Sequence, residues 1–357
     1  MHRLAVQYTV GQAVRQRRGN RAAVGLANPQ VGQYNLAAME FPGNKRFAFS
    51  ILDDTDLATV ENVAPVYKHL ARAGMRTTKS VWTLAPTEVS RVGGATLAEP
   101  AYLEFVLGLK EQGFEIASHG ATSHSAVRER TAEALDRFRE LFGDDPKIHC
   151  NHSLNRDNLY WGAARLTTFW NRLVYRVGTI NKDRRYEGHV PASPYFWGDL
   201  CRDRIQYVRN FVFWEINLLN VYPGIPYHDP AKPYVKCWFT STQAADVEAF
   251  CKTLTPGAQQ RLEDEGGVCI IYTHFGSGFV RKGEPDRRFC RLMDEVAARD
   301  GWFVPVGDVL DHLKRQGAGH DISRRDLASL ERRWIFGKLT RRTPSRTRNE
   351  PGQGEAA

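Results

Sequence analysis

Three short apolar runs in this chain of 357 residues end in groups that ionise or bind metal. Phe47-Ala-Phe-Ser-Ile-Leu-Asp53-Asp54-Thr-Asp56 closes on carboxylates, Gly113-Phe-Glu-Ile-Ala-Ser-His119 runs into a loop carrying His124, and Val268-Cys-Ile-Ile-Tyr-Thr-His274 ends in a further imidazole. Strand-period burial accounts for Phe47, Phe49 and Ile51, but a core has no use for adjacent acids at the strand end. The carboxyl ends of strands are where α/β proteins place their chemistry. Adjacent strand residues point in different directions, so one carboxylate can hold a metal while its neighbour handles a proton. Capping of the next helix by Asp54 or Asp56 is the competing structural reading. An Asp with two His makes a facial set suited to zinc or another divalent first-row ion, with positions left for water and substrate.

With these motifs the chain resembles the polysaccharide deacetylases of the NodB-homology type, carbohydrate esterase family four. Ser50-Ile-Leu-Asp53-Asp54 matches the first motif of that family, Gly113-Phe114-Glu115-Ile116 with His119 and His124 the second, and Ile270-Ile271-Tyr272-Thr273-His274 the last. The resemblance spans roughly residues 45 to 315. It implies a distorted (β/α) barrel of about seven parallel strands, with Asp53 as catalytic base, Asp54, His119 and His124 as metal ligands and His274 as general acid. The implied activity is removal of an acetyl or other acyl group from an amino sugar, with one divalent ion, zinc by preference.

Two features depart from the family. Its metal histidines are normally four residues apart, whereas His119 and His124 are separated by five. Its Arg-Pro-Pro-Tyr-Gly type segment is missing, and Lys147-Ile-His-Cys-Asn151-His152-Ser-Leu-Asn155-Arg-Asp-Asn-Leu-Tyr160-Trp161-Gly162 stands in its place. This polar stretch is expected to line the pocket through Asn151, His152, Tyr160 and Trp161. Either Asn151 and His152 replace the family's arginine in orienting the base, or His152 competes with His124 to be the third ligand.

Helix-period segments alternate with the apolar runs, as a largely parallel sheet requires. Val60, Val63, Ala64, Tyr67, Leu70 and Ala71 form one helix face, closed by Gly74; Tyr102, Phe105, Val106 and Leu109 form another, closed by Gly113. Others cover 127–142, closed by Gly143, and 289–296. Strands are expected near 47–52, 76–82, 114–118, 147–151, 208–213, 234–239, 268–273 and 302–304. Seven or eight such units point to a closed or nearly closed barrel. The aromatic-rich middle, Leu166 to Pro233, fits this alternation least well, and some of its rings are expected to form a sugar-stacking wall. The expected layout is an N-terminal arm over 1–45, the barrel over 46–316, a basic amphipathic helix over 317–343 and a disordered tail over 344–357.

The formal net charge is +9, which favours anionic partners. No zinc-finger or RNA-binding motif accompanies it, so nucleic acid is not expected. The basic pairs Arg324-Arg325, Arg332-Arg333 and Arg341-Arg342 interleave with Leu327, Leu330, Trp334 and Leu339. That pattern fits either peripheral contact with an anionic membrane or a helix folded back on the barrel. There is no signal-peptide core, no transmembrane-length apolar run and no Cys-x-x-Cys spacing, so cytoplasm is the expected location. An intracellular glycan precursor is then the expected substrate. No Gly-x-Ser-x-Gly elbow offers a serine nucleophile. Two rival readings remain: a metal-dependent amidohydrolase acting on a non-sugar C–N bond, and a degenerate member that binds glycan or membrane without turnover.

Overall fold

The computed structural model describes residues 39–90, 92–153, 155–178 and 185–340. Most of the expected N-terminal arm and all of the tail lie outside the described residues. Seven strands, β1 (Phe47–Asp53), β2 (Thr78–Val81), β3 (Glu115–Ser118), β4 (Ile148–His149), β5 (Tyr207–Phe213), β6 (Cys237–Gln243) and β7 (Val268–Thr273), pair in parallel in sequence order. Pairing of β7 with β1, from Ala48↔Val268 to Asp53↔Thr273, closes them into a barrel. The expected (β/α) barrel is therefore present, and so is its distortion. The β1–β2 seam is paired only at Leu52 and Asp53.

The main helices between the strands are α1 (Val60–Arg72), α2 (Pro100–Glu111), α3 (Arg128–Phe142), α4 (Phe169–Gly178), α5 (Gly198–Arg204), α6 (Val247–Thr253) and α7 (Pro256–Asp264). After β7 come a short hairpin, β8 (Val280–Arg281) and β9 (Glu284–Pro285), then α8 (Arg287–Ala297), β10 (Gly301–Phe303), α9 (Val306–Arg315) and α10 (Arg324–Thr340). Strand β10 pairs with the first half of β1, from Phe47↔Gly301 to Phe49↔Phe303, on the edge that β2 leaves open.

The pleat of β1 sorts its side chains. Phe47, Phe49 and Ile51 pack outward against Val63, Val66, Tyr67 and Leu70 of α1 and Phe289, Met293 and Val296 of α8. Ala48 and Leu52 belong instead to the cluster containing Ala117, Phe211, Phe239 and Ile270. This period-2 alternation fixes the register, because a one-residue slip would turn every aromatic to the wrong face. Truncating a buried phenylalanine such as Phe49 costs about 3–5 kcal/mol.

The C-terminal helix folds back. Leu327, Leu330, Trp334 and Ile335 of α10 are buried. The Trp334 ring stacks on Tyr175 at 5.5 Å and lies 5.4 Å from Phe211. Of the two expectations for this helix, the structure realises packing on the barrel. Leu327, Leu330 and Trp334 are spent on that packing and are not free to enter a membrane.

Candidate metal centre

The same alternation that places Phe49 outward decides the fate of the acids at the end of β1. Asp53 falls on the outward side, fully buried. Its Oδ2 accepts the Tyr67 hydroxyl at 2.8 Å and lies 3.0 Å from the Lys79 ammonium, while its Oδ1 accepts the Phe275 backbone N–H at 2.7 Å. Lys79 stands directly opposite on β2. Burial alone would pull the Lys79 pKa down, but the charge and hydrogen bond of Asp53 together with those of Tyr102 outweigh it and the net shift is upward. Both oxygens of Asp53 are thus occupied by protein donors. Asp53 was expected as the proton acceptor beside the metal; here it lies on the outward side of β1, paired with Lys79.

Asp54 falls on the inward side. Its two oxygens accept the two terminal nitrogens of Arg209 at 2.9 and 2.6 Å, a bidentate pair. Arg209 lies in the middle of β5, buried, with its guanidinium 4.3 Å from the Tyr272 ring centroid. Burial pushes the Asp54 pKa upward, but Arg209 and the nearby His119 and His274 outweigh it, and the carboxyl is held below its ordinary value. Asp54 was expected as a metal ligand. The structure commits both of its oxygens to Arg209 and leaves His119 Nδ1 3.9 Å away.

The carboxylate that meets the imidazoles is Asp56, two residues further on. Its Oδ1 lies 3.3 Å from His119 Nε2 and 3.6 Å from His152 Nε2, and its Oδ2 lies 3.6 Å from His274 Nε2. One ligand atom from each of Asp56, His119 and His152 falls within 4.8 Å of the others, and all three residues are buried. Close backbone contacts hold Asp56 here. Leu57, next along, has φ of 62°, a conformation uncommon for a branched residue. A Cβ on Gly94 would come within 2.9 Å of the Thr55 carbonyl, and one on Gly276 within 2.6 Å of Leu57. Only glycine lets both loops close over this turn.

The donor set fits a divalent cation. His152 Nδ1 faces Asn155 Oδ1 at 3.1 Å, an acceptor that selects the Nδ1–H tautomer and leaves the Nε2 lone pair aimed at Asp56. Burial, more than any neighbouring charge, lowers the His152 pKa and favours the neutral ring that a metal needs. Two acceptors, a carboxylate and an imidazole lone pair, then face each other in a buried site. Among the described residues, neither His152 Nε2 nor His119 Nδ1 has a hydrogen-bond partner. Buried polar atoms of this kind ordinarily find a partner, and a cation beside Asp56 would satisfy the His152 nitrogen. Trp82 packs against both rings, with centroids 5.9 Å from His119 and 5.7 Å from His152.

His124, expected as the third ligand, is not brought to this cluster. Its Nε2 accepts the backbone N–H groups of Thr87 and Glu88 at 2.9 and 3.2 Å, and its Nδ1 meets the Thr122 hydroxyl at 2.9 Å. Nε2 ties the loop after β2 to the loop after β3, and Nδ1 is held within its own loop. The extra residue between His119 and His124 lets the second imidazole swing into that role. His152, from the polar stretch after β4, takes the place expected for it.

The remaining expected pocket residues are engaged elsewhere. Asn151 clamps its own loop through Leu159, accepting N–H at 2.9 Å and donating to C=O at 3.1 Å. Tyr160 stacks on His189 at 4.3 Å, and Trp161 carries the Arg165 guanidinium 3.6 Å above its ring. His274 lies beside the cluster, with Nδ1 2.7 Å from the Ala245 carbonyl and Nε2 3.1 Å from the Tyr272 hydroxyl. Two site residues escape the sequence reading. Asp56 is visible only as a possible cap, and Arg209 only as a lone charge inside the apolar run Tyr207–Phe213.

No family model matches the chain, and no curated protein matches it. Among solved structures, it is similar to one described as a polysaccharide deacetylase from Mycobacterium smegmatis, with TM-score 0.47 and 12% identity over 80% of this chain and 96% of that one. A second, described as a polysaccharide deacetylase from Pseudomonas aeruginosa PAO1, gives 0.46 and 17% over 78% and 94%. An allantoinase gives 0.46 and 15% over 78% and 93%. These are likenesses of fold.

Proposed function

We propose that this protein is a metal-dependent hydrolase that removes an acyl group from an amine, carried by an amino sugar or glycan precursor. The supporting observation is the convergence of Asp56, His119 and His152 from three separate strand ends, with two orphaned imidazole nitrogens among them. These three residues would hold one divalent ion, zinc by the preference of a nitrogen and oxygen donor set. When bound, such an ion supplies Lewis acidity and lowers the pKa of water toward about 7.

The chain's own residues divide the proton work. Asp54 accepts the proton of the attacking water on the second lone pair of a carboxylate oxygen, kept ionised and oriented by the bidentate grip of Arg209. In this reading Arg209 does the job expected of the arginine in the missing motif. His274 gives a proton to the departing nitrogen from Nε2, its ring oriented by donation from Nδ1–H to Ala245. An amide nitrogen is a poor leaving group without that proton. The sugar as acyl carrier rests on the motif resemblance of the strand ends.

Metal analysis of the purified protein, paired with acetate release from a panel of N-acetylated sugars, sugar nucleotides and non-sugar amides, tests the reading. Stoichiometric divalent metal with release from acetamido sugars is the expected result. A protein without stoichiometric metal, or one that turns over only non-sugar amides, would overturn it.

A further inference from the structure

Helix α4 is built inside out. Its inward side carries the buried Asn171 and the half-buried Tyr175, whereas Phe169, Trp170, Leu173, Val174 and Val177 are exposed. Among the described residues, seven of the eleven exposed large hydrophobic side chains lie on α4 or at the end of α10, where Phe336 and Leu339 continue the patch. The two helices are contiguous there. A Cβ on Gly178 would come within 2.9 Å of Leu339 Cδ2.

The exposure is not that of an undocked helix. Glu331 of α10, fully buried, accepts the backbone N–H of Thr167 at 2.5 Å and the Asn171 side-chain amide at 2.7 Å, anchoring the start of α4. Tyr175 stacks on Trp334 along the same seam. The inward side of α4 is therefore fixed, and its apolar side is held outward as a surface feature.

We propose that this face docks reversibly on an anionic lipid surface. Charge decides between the occupants that an apolar face could take. Helix α4 carries Arg172 and Arg176 and no acidic residue, and Lys338 lies in the last turn of α10. A second copy of the chain would bring these cations against themselves. An anionic leaflet takes the apolar stripe among its acyl chains while the flanking arginines reach its headgroups, the arrangement of an interfacial amphipathic helix. The proposal is independent of the hydrolase reading.

Co-sedimentation of the full chain with phosphatidylcholine vesicles, with and without phosphatidylserine, is the test. Binding is expected on the anionic vesicles, weakened by salt. Leu173→Gln with Val177→Gln keeps helix propensity and charge, and should weaken binding at least about tenfold without changing the melting temperature. Arg172→Gln and Arg176→Gln should each cost about fivefold on anionic vesicles and little on neutral ones. Wild-type binding by the Leu173/Val177 variant would overturn the proposal, since binding would then lie elsewhere. So would wild-type protein that ignores vesicles but forms a dimer lost in that variant, which would assign the face to a second copy.

Discussion

Asp53 and Asp54 are neighbours in the chain, both buried and both facing a buried cation, yet they sit in different kinds of place. On the outward side of β1, Asp53 meets Lys79, Tyr67 and the Phe275 N–H, and protein donors take both its oxygens. On the inward side, Asp54 and Arg209 border a cluster in which His119 Nδ1 and His152 Nε2 have no partner. The strand pleat assigns the sides, and the neighbours assign the roles. A buried ion pair alone does not mark a site. Orphaned acceptors beside one do.

The largest expected effect separates the two acids by activity. Asp54→Asn should lower kcat by about 10²–10⁴-fold in protein that retains its metal, the range for loss of a general base. Steady-state kinetics on metal-loaded, folded variant checks this. Turnover near wild type would return the base role to Asp53 or to another group.

Next comes a loss of stability with little loss of turnover. Asp53→Asn strands the buried Lys79 charge and should cost about 3–5 kcal/mol in denaturant unfolding. Adding Lys79→Met removes the stranded charge while the asparagine can still accept the Phe275 N–H. The double variant should recover most of that stability and keep most of its activity per folded molecule. If activity falls in the double variant as far as in Asp54→Asn, the comparison between the two sides fails.

A third buried carboxyl sharpens the lesson because no cation pairs with it among the described residues. Asp157 accepts the Ala126 N–H at 3.1 Å, and burial raises its pKa to about 7. With a folded value above the unfolded one, folding favours the protonated form. Its contribution is fully present below about pH 4 and is lost as pH rises toward about 7. Asp157→Asn should therefore flatten this stretch of the stability–pH curve and stabilise the protein above neutrality. Unfolding midpoints measured from pH 4 to 8 would show an unchanged slope if the carboxyl is in fact ionised in the fold.

Much of this molecule is legible in its sequence because β1, β7 and helices such as α1 and α3 carry clean periodicity and glycine stops. Gly143, for example, closes α3 at φ of 86°. The strand ends are legible too, and His119 and His274 stand where their runs stop. The side-chain partners at the site depend on what sequence spacing does not encode. Asp56, not Asp54, meets the imidazoles because a buried arginine 155 residues away pairs with Asp54. Loop backbone N–H groups hold the His124 ring away from the cluster, and Asn155 sets the tautomer of His152. Arg209 alone left a usable signal, a charge in an otherwise buried strand. Helix α4 could not be placed because its apolar stripe, read alone, predicts burial, and the structure turns it outward.

The central claim is that Asp56, His119 and His152 form the metal centre, and bound metal in two single variants tests it most directly. His152→Ala and His124→Ala each remove one imidazole from the loops around the site. Metal per chain, measured by elemental analysis after identical purification, should fall to near zero in His152→Ala and stay at the wild-type level in His124→Ala. The His124 variant should show only a modest loss of stability, about 1–3 kcal/mol from the loop N–H groups left without an acceptor. Retention of metal by His152→Ala together with its loss from His124→Ala would contradict the account.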